Sequence, residues 1–170
     1  MRLRGYIEGI DFPLVQKWTG EERVHALWCA GRFAYPLDRD DFREMLKKSG
    51  AQWQDCPYMV TEDDGRPIGF FTYNVNAEEN YGFLKFIVLD GSLRGQGYGT
   101  RMLQLISRFA FEITGVSELR ISVFDVNKAA VGCYRKAGFC EAGREENAFT
   151  FQGESWGRIH MKKEQPGKER

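Results

Sequence analysis

The sequence predicts a mixed α/β (α+β) domain over residues 1–164, followed by a frayed tail at 165–170. Three observations carry that prediction. The run "YGFLKFIVLD" is nearly continuous apolar from Phe83 to Leu89 and reads as a strand buried on both faces. A glycine-rich turn and a helical pattern follow it at once. Two hairpin signals, Asp64-Gly65 and "QGES", add antiparallel strands before and after.

Taken in order, residues 3–7 suit a first strand. Asp11 is placed to cap a helix with Pro13 just inside it. "EERVHALWCA" puts Val24, Leu27 and Trp28 on one helical stripe. "DFREMLKK" forms a short helix capped by Asp38 or Asp40 and ended by Ser49-Gly50. "YMVTEDDGRPIGFFTYNV" is a hairpin. After the glycine run, Met102, Ile106, Phe109 and Ile113 recur at helical spacing, with Arg101, Gln104, Arg108 and Glu112 elsewhere and Gly115 as the stop. "LRISVF" alternates, with Leu119, Ile121 and Val123 facing one way. "NKAAVGCYRKAGF" is a helix capped by Asn127 and stopped by Gly138. Strands near 139–151 and 155–162 close the chain. The strand at 83–89 and the one at 119–124, joined through a helix, are expected to run parallel.

Composition narrows the function. Lysine plus arginine equals aspartate plus glutamate at 24 each, so no global field draws the protein to nucleic acid or anionic lipid. No apolar run approaches the roughly 18 residues of a membrane span, and "MRLRGYIEG" lacks the apolar centre of a signal peptide. The cytoplasm is the expected location. Cys29, Cys56, Cys133 and Cys140 form no C-x-x-C pair, and His25 and His160 are the sole histidines, so zinc spacing is absent and no metal is expected. The four thiols are read as reduced and mostly buried.

The stretch "LRGQGYGTRML" carries the chemistry. A buried strand entering a glycine turn and leaving as a helix aims free N–H groups and a positive helix end at one spot, where an anion, most often phosphate, belongs. Glycines let the backbone approach closely, and Arg94 adds a charge that does not titrate away. A plain strand-to-helix turn is the bland alternative. A P-loop would need Gly-Lys-Ser/Thr, which is missing. A dinucleotide fingerprint starting at Gly95 or Gly97 meets Thr100 or Met102 where its third glycine belongs.

The third phosphate-binding pattern, R-x-x-G-x-G, matches Arg94, Gly97 and Gly99. With the strand before it, it resembles the acyl-CoA pyrophosphate loop of the GNAT N-acetyltransferases. About 30 residues on, "NKAAVGCYRKAGF" resembles that family's N-x-x-A-x-x-x-Y-x-x-x-G-F segment through Asn127, Ala130, Tyr134, Gly138 and Phe139. "DFPLVQKW" and "GESWGRIHM" look like the branch containing the ribosomal-protein alanine N-acetyltransferases, which also includes members acting on small amines. Gly91 stands where the family often has proline.

The resemblance implies a single-domain GNAT fold with a mostly antiparallel mixed sheet of about seven strands flanked by helices. It implies acetyl-CoA as acyl donor, held by Arg94, Gly95, Gln96, Gly97, Tyr98, Gly99 and Thr100. The pantetheine arm would run along the backbone of Ile87 and Leu89, with a backbone N–H near Ile87 polarising the acetyl carbonyl. Asn127 would contact the arm, and Tyr134 would give a proton to the departing sulfur. The residues themselves leave open that Asn127 is only a helix cap and Tyr134 only a core residue. No base stands out: Glu78, Glu79 and Tyr81 could relay a proton, or lie on a solvated turn. Trp28, Phe33, Tyr35, Trp53 and Trp156 are candidates for lining an acceptor pocket. Glu145 and Glu146 are candidates for meeting a cationic amine. The expected acceptor is a small-molecule amine, with a peptide N-terminus or a catalytically silent CoA sensor as alternatives, and the expected assembly is a monomer or homodimer.

Overall fold

A computed structural model describes residues 1–167. The element order is β1 (Arg2–Gly5), α1 (Glu8–Trp18), α2 (Glu22–Cys29), α3 (Arg39–Trp53), β2 (Cys56–Thr61), β3 (Pro67–Asn76), β4 (Tyr81–Leu89), α4 (Tyr98–Arg108), β5 (Glu118–Phe124), α5 (Lys128–Lys136), β6 (Cys140–Phe151) and β7 (Glu154–Glu164). The strands make one seven-stranded mixed sheet in the order β1-β2-β3-β4-β5-β7-β6. Antiparallel pairing joins β1 to β2, β2 to β3, β5 to β7 and β6 to β7. As the α4 crossover requires, β4 runs parallel to β5, pairing Tyr81–Leu84 with Glu118–Ile121.

By internal packing the chain forms two compact units. The first holds residues 1–74 and 85–98; the second holds 75–84 and 99 onward. In the first, α1 to α3 bury Phe12, Val15, Phe42, Met59 and Phe70 in one cluster. In the second, Leu119, Ile121 and Val123 are buried along β5 as the alternation predicts, and Met102, Leu103 and Ile106 are buried on α4. The β6–β7 hairpin turns at Gln152 and Gly153, both with positive φ, which matches the right-handed twist of the strands.

Five local expectations are corrected. The helix near Asp11 begins earlier, at Glu8, so Asp11 lies inside it and Pro13 sits a further two residues in. Asp11 is fully buried and still serves the helix start, because its carboxylate accepts from the Ile7 N–H at 2.7 Å and from both Arg4 guanidinium nitrogens at 2.7 Å. Helix α3 passes through Ser49-Gly50 to Trp53 and stops where Gln54 turns left-handed (φ 57°). Strand β4 is not buried on both faces: Gly82, Leu84 and Val88 are buried, while Phe83, Ile87 and Leu89 are half-buried. Ile113 is 73% exposed, outside the predicted stripe. A π turn over Phe109–Thr114 widens the helix there, so the buried face passes to Ala110 and Phe111. The cysteines are not mostly buried: Cys29 is buried, Cys133 half-buried, and Cys56 and Cys140 exposed. In the expected tail, the Gln165 N–H bonds the Ser117 carbonyl at 2.9 Å, and residues 168–170 lie outside the described residues.

Asp11→Ala leaves the Ile7 N–H and the Arg4 guanidinium without their partner. A loss of about 2–3 kcal/mol is expected, less than for a fully buried pair because Arg4 reaches water. Urea unfolding at unchanged slope measures it; a loss within 0.5 kcal/mol, the ordinary scale of surface substitutions, would deny the carboxylate that role.

Candidate active site

The second half of β4 carries a kink. Phe86 has φ 50°, a left-handed conformation that costs an aromatic residue about 1–3 kcal/mol unless its surroundings enforce it. They do so from two sides. The Trp28 indole N–H donates to the Phe86 carbonyl at 2.8 Å, and the Phe86 ring packs against Trp28 and Phe33 with centroids 5.6 and 5.7 Å away. One residue earlier, the Lys85 ammonium bonds both carboxylate oxygens of the buried Asp55, at 2.8 and 2.9 Å. A single left-handed residue in a strand re-aims the peptide groups after it, here those of Ile87 to Leu89. The primary sequence hides this device, because no glycine marks it. The one available signal was a tryptophan whose indole needs a partner.

The loop after β4 is held from below and open above. The Asp90 N–H bonds Ile68, and its carboxylate accepts from Ser92 N at 2.9 Å and Ser92 Oγ at 2.8 Å. Burial works against that carboxylate, but bonds from Ser92 and Trp18 and the charge of Lys17 outweigh it and hold it below the usual range. A short 3-10 turn spans Gly91–Leu93, and Gln96 Nε2 donates to the Ser92 carbonyl at 2.8 Å. Gly95 (φ 75°) and Gly97 (φ 83°) are both left-handed, with open space where a Cβ would sit. The glycines are therefore required by backbone angle and not by crowding. Left-handed residues alternating along a turn bring successive N–H groups to a common concavity that suits an anion. Residues Arg94–Gly97 are exposed, and Tyr98, Gly99 and Thr100, half-buried, form the first turn of α4, whose leading amides have no helical acceptor.

In the second unit, Thr100 Oγ1 lies 3.7 Å from Cys133 Sγ, tying the first turn of α4 to α5. Asn127 caps α5, its Oδ1 accepting from the Ala130 N–H at 3.1 Å. The capping expectation thus holds, and the side-chain amide nitrogen is not used by the cap. Seven residues on, Tyr134 is buried. Burial pushes its hydroxyl well above the usual phenol range, with Cys133 adding to the shift, so it stays protonated in neutral water.

Other predicted residues find different places. Phe33 is buried in the aromatic cluster, and Trp156 is fully buried against Phe124, Phe149 and Phe151. Tyr35 is exposed and donates to the Gly20 carbonyl at 2.7 Å; Trp53 is exposed. Glu79 pairs with Arg120 at 3.3 Å, and that guanidinium lies 3.7 Å over the Tyr81 ring, so both are engaged at the start of β4. Glu78 and Glu146 are exposed. Glu145 accepts from Arg158 at 3.1 Å. Among the described residues no group of three or more His, Cys, Asp and Glu is arranged to hold a metal ion, and no helix is long and apolar enough to cross a membrane.

Residues 21–139 match the model of the Acetyltransferase (GNAT) family. The chain belongs to that family. It is 30% identical over 93 residues to the bovine thialysine N-ε-acetyltransferase, a match covering 54% of each chain, so it aligns with about half the length of that relative. It is 24% identical over 144 residues to the aminoglycoside N(6')-acetyltransferase type 1 of Klebsiella pneumoniae, covering 78% of this chain and 71% of that one. The fold is that of the spermidine N-acetyltransferase of Vibrio cholerae, solved with CoA and spermine: the TM-score is 0.81 at 19% identity, over 96% of this chain and 95% of that one. The seven-stranded GNAT sheet expected from the sequence is therefore the fold observed.

Trp28→Phe keeps the ring stack of this GNAT domain and removes the indole bond that holds the Phe86 kink. Stability is expected to fall by about 1 kcal/mol, one hydrogen bond's worth. Acetyl-CoA affinity, read by isothermal titration, is expected to fall about fivefold, the equivalent of about 1 kcal/mol. A variant that loses stability but keeps its acetyl-CoA affinity would separate the kink from donor binding.

Proposed function

We propose that this GNAT protein transfers the acetyl group of acetyl-CoA to a primary amine of a small molecule, by direct attack of the amine with both substrates bound. The loop Arg94–Thr100 carries the proposal. Two left-handed glycines, the first turn of a helix and an arginine fit a pyrophosphate, and no P-loop or dinucleotide fingerprint competes for the same residues. Backbone amides of Gly95 to Thr100 hold the pyrophosphate, with Arg94 supplying charge. Peptide groups at Ile87 and Leu89 hold the pantetheine arm as an added strand would be held, and the amide near Ile87 donates to the acetyl oxygen as charge builds there. The Asn127 side chain, beyond its cap, gives the arm a further contact.

Tyr134 gives its proton to the departing sulfur. Its burial supports this role, since a phenol kept neutral is a donor at every working pH. A thiol near pKa 8.5 leaves fairly well unaided, so Tyr134 accelerates the step and is not indispensable.

Relatives whose names specify thialysine, an aminoglycoside and spermidine favour a small amine as acceptor. The likeness of "DFPLVQKW" and "GESWGRIHM" to the ribosomal-protein branch keeps peptide N-termini among the acceptors to be tested. A cytoplasmic monomer or homodimer, with residues 1–164 as the working domain and 165–170 as a tail, completes the reading.

The test is incubation of the protein with acetyl-CoA and a panel of polyamines, amino acids, aminoglycosides and short peptides, followed by mass spectrometry for one added acetyl group. Acetylation of one class names the acceptor. Thermal stabilisation by acetyl-CoA without any product would favour a sensor, and the absence of both product and stabilisation would remove CoA from the reading. Tyr134→Phe is expected to lower kcat by about 10- to 1000-fold with acetyl-CoA affinity kept. Because the Tyr134 hydroxyl is raised above an ordinary phenol, the wild-type rate should show no alkaline loss attributable to it below about pH 10. An unchanged kcat in the variant removes Tyr134 from the mechanism.

A further inference from the structure

Strands β5 and β7 pair without a break from Glu118 opposite Glu164 to Phe124 opposite Arg158. One step further, Asp125 meets Gly157. A hydrogen-bonded antiparallel pair exchanges two main-chain bonds. Half of that exchange is ordinary here: the Asp125 N–H donates to the Gly157 carbonyl at 2.9 Å. The return bond is not. The Gly157 N–H donates at 3.0 Å to Asp125 Oδ1, a side-chain oxygen, where the ladder would use the main-chain carbonyl.

That exchange of acceptors lets the chain leave the sheet. Gly157 is buried, so its N–H needs a partner wherever β5 ends. The carboxylate supplies one, and its charge makes the bond stronger than a neutral one. The Asp125 carbonyl is then free to turn away. The Asn127 N–H bonds back to the Phe124 carbonyl and the Lys128 N–H to the Val126 carbonyl, each at 3.0 Å. Helix α5 starts at once, with Asn127 as its cap. Gly157 is fitted to the same device. A Cβ on it would stand 2.6 Å from Asp125 Oδ2 and 3.2 Å from the Glu145 carbonyl oxygen. This glycine is required by crowding, the reverse of Gly95 and Gly97.

We infer that Asp125 is a positioning residue for acetyl-CoA: by taking the Gly157 N–H it fixes where β5 turns into α5, and so sets the Asn127 side chain for its contact with the pantetheine arm. The inference rests on the contact proposed above for Asn127. Asp125 itself touches neither substrate. It acts through the turn 124–127, and the Asn127 side-chain nitrogen, which the helix cap leaves unused, is the group it aims.

The test measures acetyl-CoA affinity by isothermal titration for wild type, Asp125→Ala, Asn127→Ala and the double variant, with thermal stability beside it. Each single change is expected to lower affinity about five- to tenfold, the fold-change of one lost hydrogen bond. The double variant is expected to lose no more than either one alone, because both remove the same contact. Asp125→Asn offers an amide oxygen to the Gly157 N–H and is expected to keep wild-type affinity. Should Asp125→Ala not fold, Asp125→Glu replaces it: the charge stays, the carboxylate moves out by one methylene, and affinity is expected to fall. A merely structural carboxylate would lower the melting temperature and leave affinity unmoved, which overturns the inference. Losses that multiply in the double variant overturn it too. So does an Asp125→Asn variant that binds acetyl-CoA normally but has a raised KM for the acceptor, since the charge would then serve the amine. If Asn127→Ala keeps full affinity, the arm contact and this inference fall together while acetyl transfer stands. A wild type that neither binds acetyl-CoA nor acetylates any amine removes the acetyl-transfer reading itself.

Discussion

A single hydrogen bond, from the Trp28 indole to the Phe86 carbonyl, governs how β4 presents its backbone. An aromatic residue does not stay left-handed in a strand by preference. The kink persists because the carbonyl has a donor, the ring has a stack of aromatic neighbours, and the Lys85–Asp55 pair anchors the preceding residue. This explains why α2, far away in sequence, matters to a strand it does not pair with. Its tryptophan spends its polar end on main chain. Beyond the kink, Ile87 and Leu89 are half-buried.

The loop that follows obeys the same economy. Its left-handed glycines have empty space around them, so nothing steric would stop a side chain; the dihedral angles alone do. Ser92, Asp90 and Gln96 bond the loop from its own side, and Arg94 to Gly97 are exposed. A site built from main-chain dipoles needs little charge from elsewhere. Such a loop suits an anion even in a protein with zero formal net charge.

The polar face of the second unit carries ion pairs and a neutral hydroxyl–imidazole pair side by side. Glu118, Arg120 and Lys162 neutralise one another across β5 and β7, the ordinary way for facing charges to coexist on neighbouring strands. Ser122 and His160 occupy the next pair along the same register and break that pattern, since a hydroxyl neither neutralises nor repels an imidazole. The Ser122 hydroxyl therefore holds one ring nitrogen.

Much of this molecule was legible in one dimension. Alternation in "LRISVF", the turn residues of both hairpins, the cap at Asn127 and the stop at Gly138 are local signals, and each stands where it was expected, because turn and cap chemistry acts over three or four residues. The strand–glycine turn–helix order and the two spaced motifs were enough to name the family and its fold. Tertiary structure decided what local pattern could not. Asp11 moved from a cap to a buried partner of Arg4. The π turn at Phe109–Thr114 sent Ile113 to the surface against its periodicity. Trp28 became a clamp, and Ser122 met His160, 38 residues on, because two strands share a register. Each of these depends on groups brought together from distant parts of the chain, and a one-dimensional pattern reports only the preferences of neighbours.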